Sequence, residues 1–164
     1  MRPTIRAATA DDAPAIGEVR DASWRAAYEH LVPAGVLDDV DTARWVEYLS
    51  ERLRTGSLSA LVAERDGAVR GYAFYGPCRD DDLSGWGEVY AIYAHPDEWS
   101  TGMGRALITA AVEKLRPQVV LWVLEANQRA RRFYELAGFV ADGTTKLADM
   151  PGGTQLPEVR YRLG

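Results

Sequence analysis

The chain predicts an α/β fold: a mixed, mostly antiparallel sheet of six or seven strands with helices on its faces. Three observations carry this. Two strand-like runs flank Asp66-Gly67, a dipeptide that strongly favours a two-residue hairpin. Between Trp86 and Gly138, strand-like and helix-like segments alternate, and strand–helix–strand implies a parallel pair with a right-handed crossover. "QVVLWVLEA", 118–126, is almost continuously apolar, as in a strand covered on both faces.

The elements follow in order. "PTIRAAT", 3–9, reads as a first strand. "TADD" from Thr9 resembles a capping box, and Pro14 suits a first helical turn. Ile16, Arg20, Trp24, Ala27 and Leu31 then recur at helical spacing. A broken helical region, 33–56, ends at Gly56, where a left-handed cap is easy. The hairpin occupies 57–77, and after the loop "CRDDDLSG" a strand runs from Trp86 to Ala94. "MGRALITAAVEKLRP" is a helix stopped by Pro117. "NQRARRFYELAGF" is a helix with Ala130, Phe133, Tyr134 and Ala137 on one face and Gly138 as its stop. "FVADGTTKLADM" and "LPEVRYRLG" read as closing strands, the last expected at an exposed edge able to pair with a second copy in a homodimer. The order is β-α-α-β-β-β-α-β-α-β-β. With no repeat, low-complexity block or linker, residues 1–164 read as a single domain.

Composition narrows the class. Hydrophobic residues make up 47% and charged residues 26%, a globular balance that can bury a core without disulfides. The lone Cys78 cannot form an internal bridge. The N-terminus lacks the apolar core of a signal peptide, and no apolar run approaches the ~20 residues of a membrane span. A cytoplasmic protein without a membrane partner is expected. A net charge of −5 disfavours nucleic-acid binding and hints weakly at a cationic partner. His30 and His95 lie far apart in sequence, and no spacing of His, Cys and carboxylates resembles a metal site.

The turn "STGMGR", Ser100 to Arg105, sits where a strand becomes a helix. Glycines at 102 and 104 expose consecutive main-chain N–H groups at the positive end of a helix dipole, an arrangement that takes phosphate. It is not a Walker A loop, since no Lys-Ser/Thr follows. Nor is it a dinucleotide fingerprint, since Leu107 stands where a third glycine belongs. Taken alone, an ordinary tight turn fits as well.

The stretch "VYAIYAHPDEWSTGMGRALI", followed by "LWVLEANQRARRFYELAGF", resembles the GNAT superfamily of acyl-CoA N-acyltransferases. Those proteins carry an [Arg/Gln]-x-x-Gly-x-[Gly/Ala] loop after the fourth strand. They also carry an Asn-x-x-Ala-x-x-[Phe/Leu]-Tyr-x-x-x-Gly-Phe helix after the fifth. The second motif is complete here in Asn127, Ala130, Phe133, Tyr134, Gly138 and Phe139. In the first, Trp99 replaces the usual Arg or Gln.

The resemblance implies acetyl-CoA as co-substrate, in a sheet splayed between strands four and five. Ser100, Thr101, Gly102, Met103, Gly104 and Arg105 would hold the diphosphate through main-chain N–H groups. Ile92 and Ala94 would pair with the pantetheine amides, and an N–H near Ile92 or Tyr93 would polarise the thioester carbonyl. Asn127 would bond the pantetheine arm or cap its helix, and Arg131 or Arg132 would approach the nucleotide or simply face solvent. Tyr134 would protonate the leaving thiolate, the alternative being a core tyrosine. Glu88, four residues before Ile92 and therefore expected on its face, would serve as base or remain a solvated strand end. Trp24, Tyr28 and Tyr90 would shape the pocket for a small-molecule or peptide amine, the alternative for the helical aromatics being core packing. Asp80 to Asp82 form either a solvated loop or a rim facing a cationic acceptor. The implied activity is direct acetyl transfer from acetyl-CoA to a primary amine. A non-catalytic CoA-binding module and an enzyme for longer acyl chains are the alternatives.

Overall fold

The structure is a computed structural model and describes residues 2–164. Seven strands form one sheet in the order β1-β2-β3-β4-β5-β7-β6. They are β1 (Thr4–Ala7), β2 (Ser59–Arg65), β3 (Ala68–Pro77), β4 (Gly87–Ala94), β5 (Val119–Leu124), β6 (Val140–Asp149) and β7 (Gln155–Leu163). The helices are α1 (Ala13–Tyr28), α2 (Thr42–Thr55), α3 (Met103–Leu115) and α4 (Gln128–Leu136).

Local signals act where the sequence places them. Thr9 and Asp12 close a capping box, and Asp12 also takes two hydrogen bonds of 2.8 Å from Arg6. Asp66 and Gly67 have φ of 54° and 79°, so the hairpin turns in the left-handed region that those two residues tolerate. Gly56 and Gly138 end α2 and the α4 segment with φ of 74° and 98°. The apolar periodicity of the first helix overshoots: α1 stops at Tyr28 and Leu31 lies in the following turn.

Two cores flank the sheet. On one face α3 and α4 cover Leu61, Ala73, Val89, Leu121, Val123 and Tyr161. On the other, α1 and α2 cover Val62 and Tyr72, with Phe74 and Tyr93 packed alongside. β5 is buried along nearly its whole length, as its unbroken apolar run requires.

The expected exposed final strand is corrected. β7 inserts between β5 and β6, in antiparallel register with both, so the outer edge is β6. The alternating pattern of β7 pairs it against the long apolar β5 (Leu121 with Tyr161, Val123 with Val159) and leaves β6 outside.

One pairing is cut short. β4 and β5 run parallel only through Gly87–Val119, Glu88–Val120 and Val89–Leu121. Just beyond, β4 carries a bulge. Tyr75 of β3 opposes Val89 and Phe74 opposes Ala91, so Tyr90 has no β3 partner. A bulge bends its strand and reverses the face of every later residue. β4 continues with β3 while β5 continues with β7 as far as Leu124, and a wedge opens between them.

Two outcomes test this frame. A Cβ on Gly87 would lie 2.6 Å from Leu115 Cβ, so Gly87→Ala should cost about 1–3 kcal/mol in denaturant unfolding. The Arg6 hydrogen bonds hold the Asp12 carboxyl below the usual carboxylate range. Its contribution is therefore complete above about pH 4 and fades as pH falls through the lower folded-state value. Asp12→Asn should lose stability at pH 7, and its deficit relative to the parent chain should shrink in urea melts at pH 3.

Candidate active site

The wedge is a cleft of about 900 Å³. Its walls are the free length of β4, the end of β5, the turn before α3 and the first turns of α4. Tyr90 to Ala94, Ser100, Gly102, Gly104, Arg105, Asn127 and Tyr134 all line it, as does Tyr28 from α1.

At one end the chain turns through Ser100 and Gly102, with φ of 64° and 93°. The left-handed Gly102 caps α3, and Ala106 N–H to Gly102 O, at 3.0 Å, is the first bond of the helical ladder. The N–H groups of Met103, Gly104 and Arg105 precede that bond and have no carbonyl four residues back within the helix. Gly104 does a second job, since a Cβ there would press on the Phe133 ring at 3.3 Å. Thr101 and the buried Met103 stand outside the lining. The Thr101 hydroxyl instead bonds Glu98 O at 2.7 Å. Glu98, the acid at this end of the cleft, is paired with Arg65 at 3.0 Å and with Arg70 at 3.7 Å. This end can therefore hold an anion without a bare carboxylate opposing it.

Trp99 turns its Nε1–H onto Ala94 O at 3.0 Å, which ties the loop to the end of β4. The Arg129 guanidinium lies over the indole, 3.8 Å from its centroid.

In the middle of the cleft, past Val89, the edge of β4 that faces β5 has no strand partner. Asn127 caps α4 by accepting from Ala130 N–H at 3.1 Å. Tyr134 is 8% exposed and packs against Phe133 and Phe139, with ring centroids 5.2 Å and 6.0 Å away. Burial raises its pKa well above that of a free phenol, so the hydroxyl stays protonated at any physiological pH.

Several expected residues fall elsewhere. Glu88 is not on the face of Ile92, because the Tyr90 bulge lies between them. Val89 and Ile92 both pack toward α3, whereas Tyr93 packs toward α1, the face Glu88 shares. Glu88 is 1% exposed and does not line the cleft; Arg79 donates to it from main-chain N at 3.0 Å and from Nη2 at 2.7 Å. Arg131 is turned away, with Nε on the Tyr161 hydroxyl and Nη1 on Glu125 O. Helical spacing brings Arg129 and Arg132 into the lining instead. Trp24 stands behind the wall, its ring edge to that of Tyr28, and Arg20 is held between Trp24 and Trp45 at 4.0 Å and 4.4 Å. The Asp80–Asp82 loop is tied to β7 while Asp81 and Asp82 stay exposed. Arg160 binds Asp82 at 2.7 Å and Asp80 at 3.3 Å while also holding Asp142.

Two features of the α1 face were not read from the sequence. The hydroxyls of Tyr28 and Tyr93 share a hydrogen bond of 2.7 Å in the cleft wall. Glu158 of β7 lies opposite Leu124 of β5 and lines the cleft beside Trp122. Among the described residues it has no ion pair within 4 Å. Burial raises its pKa, opposed by the charges of Lys146 on β6 and Arg79, and assisted by Glu88 and Asp80. No sequence pattern singles out Glu158, because its role depends on the register of β7 against β5. Arg129 was within reach of helix periodicity, three residues before Arg132.

Among the described residues there is no group of His, Cys, Asp and Glu able to hold a metal, and no helix is long and apolar enough to cross a membrane.

This geometry can be set beside known proteins. A model of the acetyltransferase (GNAT) family matches residues 20–139. A probable N-acetyltransferase of Mycobacterium tuberculosis is 29% identical, over 99% of this chain and 96% of its own. Among solved structures, the PaiA N-acetyltransferase of Thermoplasma acidophilum, in complex with coenzyme A, superposes with a TM-score of 0.76. It is 19% identical and covers 99% of both chains. A putative acetyltransferase of Salmonella typhimurium, with its cofactor acetyl-CoA, has a TM-score of 0.71. It is 25% identical and covers 99% of this chain and 94% of its own.

Proposed function

Because the chain belongs to the GNAT acetyltransferase family, we propose that it moves an acetyl group from acetyl-CoA to a primary amine, both held in the cleft at once. The observation that carries this reading is the early parting of β4 from β5. It leaves a strand edge free, with anion-ready amides at one end and a protonated phenol beside it. Those features fit coenzyme A. The turn from Ser100 to Arg105 takes the diphosphate. The strand-free edge from Ile92, up to the Ala94 carbonyl that Trp99 already holds, takes the pantetheine amides as an added strand would. When bound, the coenzyme supplies an acetyl thioester.

Two proton transfers then fall to this chain. An alkylammonium has a pKa of ~10.4 and must lose a proton before its nitrogen can attack. Glu158 is placed to take it. It lies on the α1 face of the sheet, with Tyr93 across the wedge, and carries no competing cation in contact. Glu88, which the sequence suggested, is engaged by Arg79 and withdrawn from the cleft; its part is to hold the Arg79 loop against β4. As the nitrogen–carbon bond forms and the carbon–sulfur bond breaks, the Tyr134 hydroxyl would give its proton to the sulfur, and the second proton shed by the acceptor nitrogen would restore the phenol. An N–H of the free β4 edge near Ile92 stabilises the charge on the carbonyl oxygen.

The aromatic wall of Tyr28, Tyr90 and Tyr93, with Glu158 beside it, suits an acceptor that arrives as a cation. Thiol release measured with a panel of amines tests the enzyme against a non-catalytic coenzyme-binding module. The dependence of rate on acyl-chain length tests acetyl against longer groups.

Tyr134→Phe should lower the maximal rate of thiol release by roughly 10- to 100-fold and leave acetyl-CoA affinity nearly unchanged. Normal turnover in that variant would remove the acid from this scheme. Glu158→Gln should lower kcat/KM by roughly 100-fold. Burial raises the pKa of Glu158 above that of a free glutamate, so a falling pH protonates the base and removes it. The parent enzyme should therefore show an acidic limb in its pH–rate profile, and Glu158→Gln should lack it. A limb that survives in Glu158→Gln but vanishes in Glu88→Gln would return the base to β4.

A further inference from the structure

The geometry points to Arg129 as the side-chain cation that grips the coenzyme's diphosphate, presented to the turn by the face of Trp99. This rests on the coenzyme-binding reading above.

Trp99 stands four residues before Met103, at the start of the turn, and its ring cannot neutralise an anion. Its two contacts show what it does instead. The indole N–H is fixed on Ala94 O, so the ring plane is set by β4 and not by solvent. Arg129 then lies on that ring, with its carbon Cζ 3.8 Å from the centroid. Stacking leaves the edge of a guanidinium free, and the edge is where its N–H groups point. Trp99, Arg129, Ser100, Gly102, Gly104 and Arg105 line the same cleft.

Arg129 is also available. Among the described residues it makes no ion pair and no hydrogen bond, a freedom it shares with Arg105 and Arg132 of the lining, but of these three it alone is held over the Trp99 ring. The arginines behind the walls are engaged, Arg65 and Arg70 with Glu98, Arg79 with Glu88 and Arg131 with Tyr161. Burial against the indole lowers its pKa in the absence of any compensating carboxylate. An anion in the turn would supply the missing partner. Arg129 comes from the first turn of α4, across the wedge from the amides of α3. The two sets of donors thus come from different helices into one cleft, and the indole holds the arginine there.

The test is calorimetric binding of coenzyme A, dephospho-coenzyme A and S-acetylpantetheine to the parent chain and to variants, with no turnover required. Arg129→Ala should weaken coenzyme A and dephospho-coenzyme A by the same factor, roughly 10- to 100-fold, and leave S-acetylpantetheine unchanged. Arg129→Lys, which keeps the charge and loses the planar fork, should recover only part of the loss. Trp99→Ala should resemble Arg129→Ala more weakly, and Trp99→Arg introduced into Arg129→Ala should restore binding. Equal losses for all three ligands would mark a general distortion. A loss confined to coenzyme A would assign the arginine to the 3′-phosphate. No loss, or tighter binding, would show a bystander or a latch. Each of those results overturns the proposal. Failure of acetyl transfer with intact diphosphate selectivity would instead overturn the catalytic reading and leave this one standing.

Discussion

The parting of two parallel strands after three paired positions is the constraint from which the rest of the molecule follows. A sheet normally satisfies every main-chain donor and acceptor between neighbouring strands. Here β4 stays with β3 and β5 stays with β7, so two half-sheets diverge from a short shared stem at Gly87, Glu88 and Val89. The bulge at Tyr90 supplies the bend. The helices bridge the parting rather than follow it: α1 and α2 cover one face of the hairpin half, and on the other face the α3–α4 core joins β2, β3 and β4 to β5 and β7. A cavity lined by main-chain groups thus persists in a well-packed protein.

Charge is arranged along that cavity in a graded way. At the α3 end, Glu98 is answered by two arginines, and amides and cations dominate. At the β7 end, Glu158 has charged neighbours but no ion pair. Arg160, 5% exposed, gathers three aspartates on its one guanidinium. Among the described residues of the lining, Glu158 is the acid without an ion pair.

Much of this was legible in the residues. The capping box at Thr9, the Asp66-Gly67 turn, the stop at Gly56 and the doubly buried strand are local or periodic, and they form where the pattern places them. The glycine turn and the Asn127-to-Phe139 helix likewise brought Asn127, Gly102, Gly104 and Tyr134 to one cleft. What escaped depends on pairing between distant segments. One extra residue in β4 put Glu88 on the other face from Ile92, and no feature of "GEVYAIYA" announces the bulge. The insertion of β7 between β5 and β6 set both the true sheet edge and the location of Glu158. Arg131 and Arg129 differ by a rotation of about 200° around α4, which helix phase can separate only once one face is known to be the cleft.

The grip of Arg160 carries a consequence for how such a protein can change. One guanidinium on β7 fastens the 80–82 loop to the base of the β6–β7 hairpin through Asp142, so the rim and the hairpin behave as one rigid jaw. Exchanging the loop alone would take two of the three carboxylates from a buried cation and leave it to Asp142. The tyrosines of the cleft wall and Glu158 stand outside this knot of charges and can vary without disturbing it.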